Sequence, residues 1–389
     1  LGAMSAGLPA GNFLFASEAA AEGCPDKLCD RVADAVLDAC LVQDADAHVS
    51  CDACTKSSMV MILGEVITKA SVNYEQVIRE AVKCVGYDSG DKGLDWRTMN
   101  VIVAIEEQST DVGQAIGGSR GLSEVKDSGT VCGYATDESP EMVPVSHALA
   151  TRLCARLDRV RKDGALPWAR PGGTAQIVVE YSEKPDGSVA PVGVKSVSLS
   201  VPRAPGVPPD QAQKDLLEQV VKAVVPESLC GSSTQYLFPD PKDQVRSDVG
   251  MSGKRIAEDS YGGWGLQMSA SLSGRGATRL SRSAAYGARW AAQSLVSAKL
   301  CKRATVQLSY AAGTPEPASI CVNSHGTSRC CNRTDAELAD MLRRNFDFRP
   351  SALSRDLGLK SPQFQKLSAY GHFGRSDLDV AWERPLDLK

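Results

Sequence analysis

The sequence predicts an α/β (α+β) protein built from three similar units. In each third of the chain, strand-like runs are followed by a long amphipathic helical pattern. Loose segments near 117–129 and 231–253 separate the thirds. The turn sequence Lys184–Gly187 lies between two strand-like runs and predicts a hairpin in the central third. At 389 residues the chain is too long for one simple core. We therefore expect domains over 13–115, 124–236 and 238–385.

Helical periodicity defines the first set of elements. In Asp26–Gln43 the apolar side chains fall on one face and the aspartates on the opposite face. Thr334 and Glu337 form a capping-box sequence, which marks a helix start. The predicted helices cover 26–43, 74–85, 146–162, 210–225, 283–300 and 335–345.

Strand signals fall between these helices. The run 58–68 is rich in Met, Val and Ile, and the apolar side chains of 100–106 alternate, as in a half-buried strand. The remaining predicted strands cover 176–181, 194–201 and 303–310. This alternation of strands and helices gives the three α+β units.

Composition excludes several classes of protein. The net charge of −4 and the pI of about 5.7 give no basic surface for nucleic acid or for an anionic membrane. No apolar run reaches the roughly 18 residues of a membrane span. Thirteen scattered cysteines, an odd number, indicate reduced thiols in a cytoplasmic protein. We interpret the CxxC at Cys51–Cys54 as buried thiols, because it lacks the second pair that a zinc site needs.

Six separated motifs carry a resemblance to a known family. They are Glu18, Gly23–Lys27, Gly133–Glu138, Tyr261–Gly265, Arg282–Tyr286 and Ala369–Arg375. In their order and spacing, from about Phe13 onward, the chain resembles methionine adenosyltransferase, the S-adenosylmethionine synthetase. The resemblance implies three α/β domains around a pseudo-threefold axis. It also implies two subunits packed sheet against sheet, with two active sites at their interface.

The family's reaction explains which residues it needs. The sulfur of methionine attacks the ribose C5′ of ATP, and the triphosphate leaves and is then hydrolysed. Expelling that polyanion requires magnesium, potassium and several Lys or Arg side chains. The resemblance implies magnesium at Asp26 and potassium at Asp52, although Asp26 could instead cap its helix. It places catalytic positions at Cys24, Lys254, Arg255, Arg275 and Arg279, and substrate-binding positions at Glu18, Glu65, Gln108, Asp127 and Asp248.

The chain departs from the family pattern at several of these positions. Cys24 stands where the family has His, Thr174 where it has a phosphate-binding Lys, and Ser281 where it has a metal-binding Asp. Lys254 and Arg255 are swapped relative to the family's Arg-Lys. Glycines are replaced in the loop 124–129 and in the phosphate loop 268–276, and the adenine-binding segment is missing from 238–245. A thiol or a hydroxyl cannot supply the positive charge that a triphosphate needs.

These departures favour a catalytically impaired homologue, a pseudoenzyme that acts as partner or regulator of an active methionine adenosyltransferase. Its expected partners are a second copy or the active enzyme, with magnesium and potassium bound only if activity is retained. One alternative is an active enzyme with a rearranged site, which would still use the family positions that are retained: Glu18, Asp26, Glu65, Gln108, Asp127, Lys254 and Arg255. Another is a non-catalytic sensor of methionine or S-adenosylmethionine.

Overall fold

The computed structural model describes residues 8–108, 127–241, 249–266 and 270–388. Its strands are β1 Asn12–Ala20, β2 His48–Lys56, β3 Met59–Ile67, β4 Asp88–Ser89, β5 Leu94–Asp95, β6 Asn100–Gln108, β7 Gly129–Thr136, β8 Thr174–Glu183, β9 Val189–Ser200, β10 Cys230–Leu237, β11 Val249–Met251, β12 Arg303–Tyr310 and β13 Ser319–Asn323. Its α-helices are α1 Pro25–Gln43, α2 Tyr74–Val85, α3 Val145–Lys162, α4 Pro209–Leu216, α5 Lys222–Val224, α6 Ile256–Asp259, α7 Leu280–Ser297, α8 Asp335–Asn345 and α9 Pro350–Asp356.

The same order of elements recurs three times along the chain. Each unit begins with a strand and continues through a long helix (α1, α3 or α7) into an antiparallel hairpin (β2–β3, β8–β9 or β12–β13). The first two units then add a strand, β6 or β10, parallel to the second strand of the hairpin. The prediction of three similar α/β units is confirmed.

The first strand of each unit joins the sheet of another unit. β1 pairs antiparallel with β8, β7 pairs with β12, and β11 pairs with β2, so the exchange is cyclic. The resulting strand orders are β1-β8-β9-β10, β11-β2-β3-β6 and β13-β12-β7. Each of these sheets therefore draws strands from two of the segments 13–115, 124–236 and 238–385, whose boundaries stay a prediction.

Most of the predicted elements agree with the structure to within a few residues. The helix over 74–85 and the strand over 303–310 have the predicted bounds, and the hairpin around Lys184–Gly187 is formed. The capping box is present, because the Thr334 side chain accepts from the Glu337 backbone while Glu337 reaches back. The predicted helix over 210–225 is less regular than expected. It passes through a π-helical turn, Leu217–Val221, between α4 and α5.

The sheet β11-β2-β3-β6 has two very different faces. Helix α1 packs on one face, where Val49, Val60 and Ile62 are buried. Leu63, the residue after Ile62 in β3, is exposed on the opposite face. Ile102 of β6 is exposed on the same face, opposite Met61. The candidate site lies beside this second face. Among the helices in the described ranges, none combines the length and the apolar character of a membrane span.

Candidate active site

The loop that leads into α1 is held rigidly from several sides. A Cβ on Gly23 would lie 2.4 Å from the Gly172 backbone nitrogen, so only glycine fits there. The Tyr87 hydroxyl donates to the Gly23 carbonyl, and the Cys24 N–H donates to the Ala21 carbonyl at 2.9 Å. Pro25 then begins the helix with a backbone angle that suits its first turn. The first part of the motif therefore serves the architecture of the loop.

Cys24 is buried at the start of this helix, with 3% of its surface exposed. Its side chain makes no capping hydrogen bond. Burial raises the pKa of the Cys24 thiol to about 11, and the nearby Arg255 only partly opposes this shift. Cys24 is therefore a neutral thiol at pH 7, and it supplies neither a cation nor a nucleophilic thiolate.

The expected magnesium ligand, Asp26, is occupied by protein groups. Its Oδ2 accepts a hydrogen bond from Arg255 Nε at 3.0 Å, and its Oδ1 accepts from the Met251 backbone N–H at 3.1 Å. Lys254 Nζ lies 3.7 Å from Oδ1. The alternative that Asp26 caps α1 is wrong, because the N-cap residue is Cys24 and the Asp26 carboxylate instead ties α1 to β11. Arg255 also forms an ion pair with Glu258 at 2.6 Å.

The neighbouring Lys27 is a structural residue. It is fully buried, and its Nζ donates to Asp30 Oδ2 at 2.9 Å and to Asp259. The contact with Asp259 joins α1 to α6, whereas Asp30 lies one turn further along α1 itself. The ammonium group is enclosed by its two carboxylates, so it is unavailable to a ligand.

The expected potassium ligand, Asp52, is also paired with a guanidinium. Arg275 Nη2 lies 2.9 Å from both carboxylate oxygens, and Arg275 Nη1 donates to the Cys51 carbonyl at 2.7 Å. The Ser252 hydroxyl donates to Asp52 Oδ1 at 3.0 Å. These contacts hold Arg275 against β2, where its guanidinium is already bonded to a carboxylate and to a backbone carbonyl.

The loop that corresponds to the family's phosphate loop is docked on the protein itself. The Gly274 N–H donates to Asp34 Oδ1 at 2.8 Å, and the Gly276 N–H donates to the Val49 carbonyl at 2.9 Å. A Cβ on Gly274 would lie 2.0 Å from the Cys51 carbonyl oxygen. These backbone donors are therefore used internally, whereas a phosphate-binding loop keeps them open. Met268 and Ser269 lie outside the described residues.

A cavity of about 200 Å³ lies between this loop, β2 and β7. Its lining includes Ser50, Asp127, Thr130, Arg275, Arg279 and Ser281. Arg279 Nη1 donates to Asp127 at 2.9 Å, so both arginines of the cavity are neutralised by aspartates. Ser281, at the second position of α7, adds a hydroxyl where the family has a carboxylate.

The remaining predicted residues lie on the open faces of two sheets. Glu18 of β1 lies opposite Gln176 of β8, and it lines a shallow cavity of about 200 Å³ with Ala257 and Gly262. Glu65 is exposed on β3, opposite Ser50. Thr174 begins β8. The Gln108 side chain, the whole of Asp248 and the loop residues 124–126 lie outside what the structure describes.

The structure thus brings together two groups of predicted residues. Cys24, Asp26, Lys254 and Arg255 form one group, and Asp52, Asp127, Arg275, Arg279 and Ser281 form the other. Sequence reasoning missed Glu258, which pairs with Arg255 on the next turn. The spacing Arg-x-x-Glu was the signal that could have found it.

The residues present do not fit a bare magnesium ion. In the described residues, no group of three or more His, Cys, Asp or Glu side chains could hold a metal. The absence of such a group does not by itself exclude magnesium, because magnesium often uses one or two carboxylates together with substrate phosphates. The neighbours of Asp26 are decisive: a guanidinium, an ammonium and an N–H surround it, and a cation would have to displace them.

Comparison with family models agrees with the element order and the motifs. The N-terminal, central and C-terminal domain models of S-adenosylmethionine synthetase match residues 12–110, 123–245 and 243–384, respectively. Together these matches cover almost the whole chain, in the order of the three units described above. The chain therefore belongs to the S-adenosylmethionine synthetase family.

Proposed function

We propose that this chain is a catalytically impaired homologue of S-adenosylmethionine synthetase that acts as a partner or regulator of an active methionine adenosyltransferase. The observation that carries the proposal is the internal pairing of the site's charges. Asp26, Asp52 and Asp127 are each bonded to an arginine of the same chain. These arginines are therefore already paired with carboxylates and are not free to bind a triphosphate.

The expected loss of rate follows from the number of missing charge contacts. Thr174 replaces a phosphate-binding Lys, Ser281 replaces a metal-binding Asp, and Cys24 replaces the family's His. If each change removes about 2–3 kcal/mol of transition-state stabilisation, the rate falls by roughly four to six orders of magnitude. The internal arginine–aspartate pairs work in the same direction, because preorganised cations are the main catalytic device for expelling a polyphosphate.

The open face of the sheet β11-β2-β3-β6 is the surface proposed for the partner. Met251, Cys54, Met61 and Ile102 lie side by side in one row across the four strands. Leu63, beside this row, is 40% exposed, Ile102 is 43% exposed and Met251 is 48% exposed. A continuous apolar row on a sheet face is typical of a protein–protein contact. An active homologue, with an equivalent sheet, is the partner of matching shape.

Co-purification tests this proposal. The tagged chain is expressed in cells with an active methionine adenosyltransferase, and the eluate is analysed by mass spectrometry. We expect the active enzyme to co-purify with the wild-type chain and to be lost with Ile102→Asp. Val42→Asp is the matched control, because Val42 is 71% exposed at the end of α1, away from this face. Recovery of the self-associated chain alone would contradict the proposal.

A sensor of methionine is the second candidate function. The carboxylates of Glu18 and Glu65 are exposed, and in the described part of the chain neither forms an ion pair or a side-chain hydrogen bond. Either could therefore accept the ammonium group of an amino acid. Calorimetric titration with methionine and with S-adenosylmethionine distinguishes this candidate, and the absence of heat with both ligands would dismiss it.

A further inference from the structure

A cavity of about 210 Å³ lies in the central unit of the chain. Its walls come from four separate segments: the loop after α3, the end of β9 with the residues after it, helix α4, and residues 238–240 after β10. It shares no lining residue with either group of predicted site residues. The cavity is therefore distinct from the candidate active site.

The floor of this cavity is apolar. Its lining residues Trp168, Leu199, Val201 and Leu216 are all buried. The only polar atom of the Trp168 side chain, Nε1, donates to Asp215 Oδ2 at 2.9 Å, so the indole has no unpaired donor. Walls of this kind suit an aromatic ring, because ring and wall can both be removed from water.

A cation lies at the mouth of the cavity. Arg203 and Asp240 line it and form an ion pair at 2.7 Å, with side chains that are 24% and 44% exposed. The pair uses Nη2 of Arg203, and within the described ranges the Arg203 side chain makes no second hydrogen bond. A guanidinium has five N–H donors, and an ion pair this exposed adds little to stability. A ligand carboxylate can therefore share the guanidinium with Asp240 or take its place.

The helical wall is irregular beside the cavity. Ala212 and Leu216 of α4 line it, and the chain then passes into the π-helical turn Leu217–Val221. Arg156 Nε donates to the Gln219 carbonyl of this turn at 2.9 Å, which holds the irregular backbone in place. Turns of this kind are frequent at functional sites.

We propose that this cavity binds a small aromatic carboxylate, with the ring on the apolar floor and the carboxylate on Arg203. The volume is below the roughly 300 Å³ at which sites for drug-sized ligands begin, so the ligand is limited to one ring or two fused rings. An apolar cavity of about 150 Å³ is already large enough for benzene. This binding site goes beyond the proposed function and does not depend on it.

Saturation-transfer NMR on the full chain tests the proposal. The probes are benzoate and indole-3-carboxylate, with acetate as the acid without a ring and benzyl alcohol as the ring without a charge. We expect both aromatic acids to bind with a Kd on the order of 0.1–1 mM, benzyl alcohol to bind more weakly, and acetate not to bind. Ala212→Leu, which fills the cavity, should weaken the binding of both acids at least tenfold. Ala336→Leu is the matched control, because Ala336 is exposed on α8 and the change should leave binding unaltered.

Two charge variants test the role of Arg203. Arg203→Gln should weaken the binding of the aromatic acids about tenfold and leave that of benzyl alcohol unchanged. Asp240→Asn should strengthen the binding of the acids severalfold, because it releases the guanidinium from its ion pair. If circular dichroism shows that Ala212→Leu does not fold, these two exposed positions still decide the question.

Three results would overturn the proposal. They are no binding of either aromatic acid by the wild type at millimolar concentration, full binding by a folded Ala212→Leu chain, and equal affinity of the acids for Arg203→Gln and the wild type. None of these results would affect co-purification with an active homologue, so the two proposals can fail separately.

Discussion

Lys27→Met tests whether Lys27, the last residue of the Gly23–Lys27 motif, serves the stability of the fold. Lys27 is 1% exposed and lies between Asp30 and Asp259, which are equally buried. Breaking a buried ion pair by removing one partner costs about 3–5 kcal/mol, because an unpaired charge remains inside the protein. Two carboxylates lose their cation here, so we expect a loss near the upper end. This would be a large fraction of the roughly 5–15 kcal/mol that stabilises a typical domain.

Urea-induced unfolding followed by circular dichroism measures this loss as a change in the free energy of unfolding. Lys222→Met is the matched control, because Lys222 is 57% exposed in its ion pair with Glu218 and should change the free energy by less than about 1 kcal/mol. The double variant Lys27→Met, Asp259→Asn should be more stable than the sum of the two single changes predicts. A loss below about 1 kcal/mol for Lys27→Met would show that the buried ion pairs of Lys27 are not needed for the stability of the fold.

Three further predictions concern other parts of the molecule. Burial lowers the pKa of His147 to about 4, so the folded state binds fewer protons at this residue than the unfolded state between that value and pH 6.5; the contribution of His147 to stability should fall by about 3 kcal/mol as the pH drops through this window, and His147→Gln should therefore lose less stability than the wild type over the same range, as measured by urea unfolding. Cys24 should resist iodoacetamide at pH 7.5 while the exposed Cys84 reacts, as peptide mass spectrometry can show, because burial raises the pKa of the Cys24 thiol. Thr334→Ala should cost about 1 kcal/mol of unfolding free energy, because it removes the capping box of α8.

The sequence was sufficient for elements whose pattern is local. Helix α2 and strand β12 could be predicted with their bounds, because apolar spacing along one segment determines which face is buried. The capping box of α8 is likewise a local signal. Family motifs supplied the order of the three units, and the structure and the family models agree with it.

Long-range pairing could not be predicted in the same way. β1, β7 and β11, the strands that cross between units, were not identified from the sequence. β11 is only three residues long and contains Gly250, whose Cβ would lie 2.3 Å from the Pro25 carbonyl oxygen. Its strand conformation depends on pairing with β2, some two hundred residues earlier in the chain. Local propensity carries no information about such a partner.

The candidate site was predictable in its residue types but not in its contacts. The loss of His, Lys and Asp at Cys24, Thr174 and Ser281 was visible in the sequence. The pairing of Asp26 with Arg255 and of Asp52 with Arg275 depends on how separate loops meet in the fold. These pairs balance the charges of the site within the chain itself, which the residue types alone did not reveal.

An assay for S-adenosylmethionine formation by the pure chain asks whether the proposed loss of catalysis is real. The protein is incubated with ATP, methionine, magnesium and potassium, and the product is measured by mass spectrometry against a heat-treated control. Because the site's arginines are already paired with its aspartates, we predict no product above that control. Steady accumulation of product that Asp26→Asn abolishes would instead show that the site is catalytically competent.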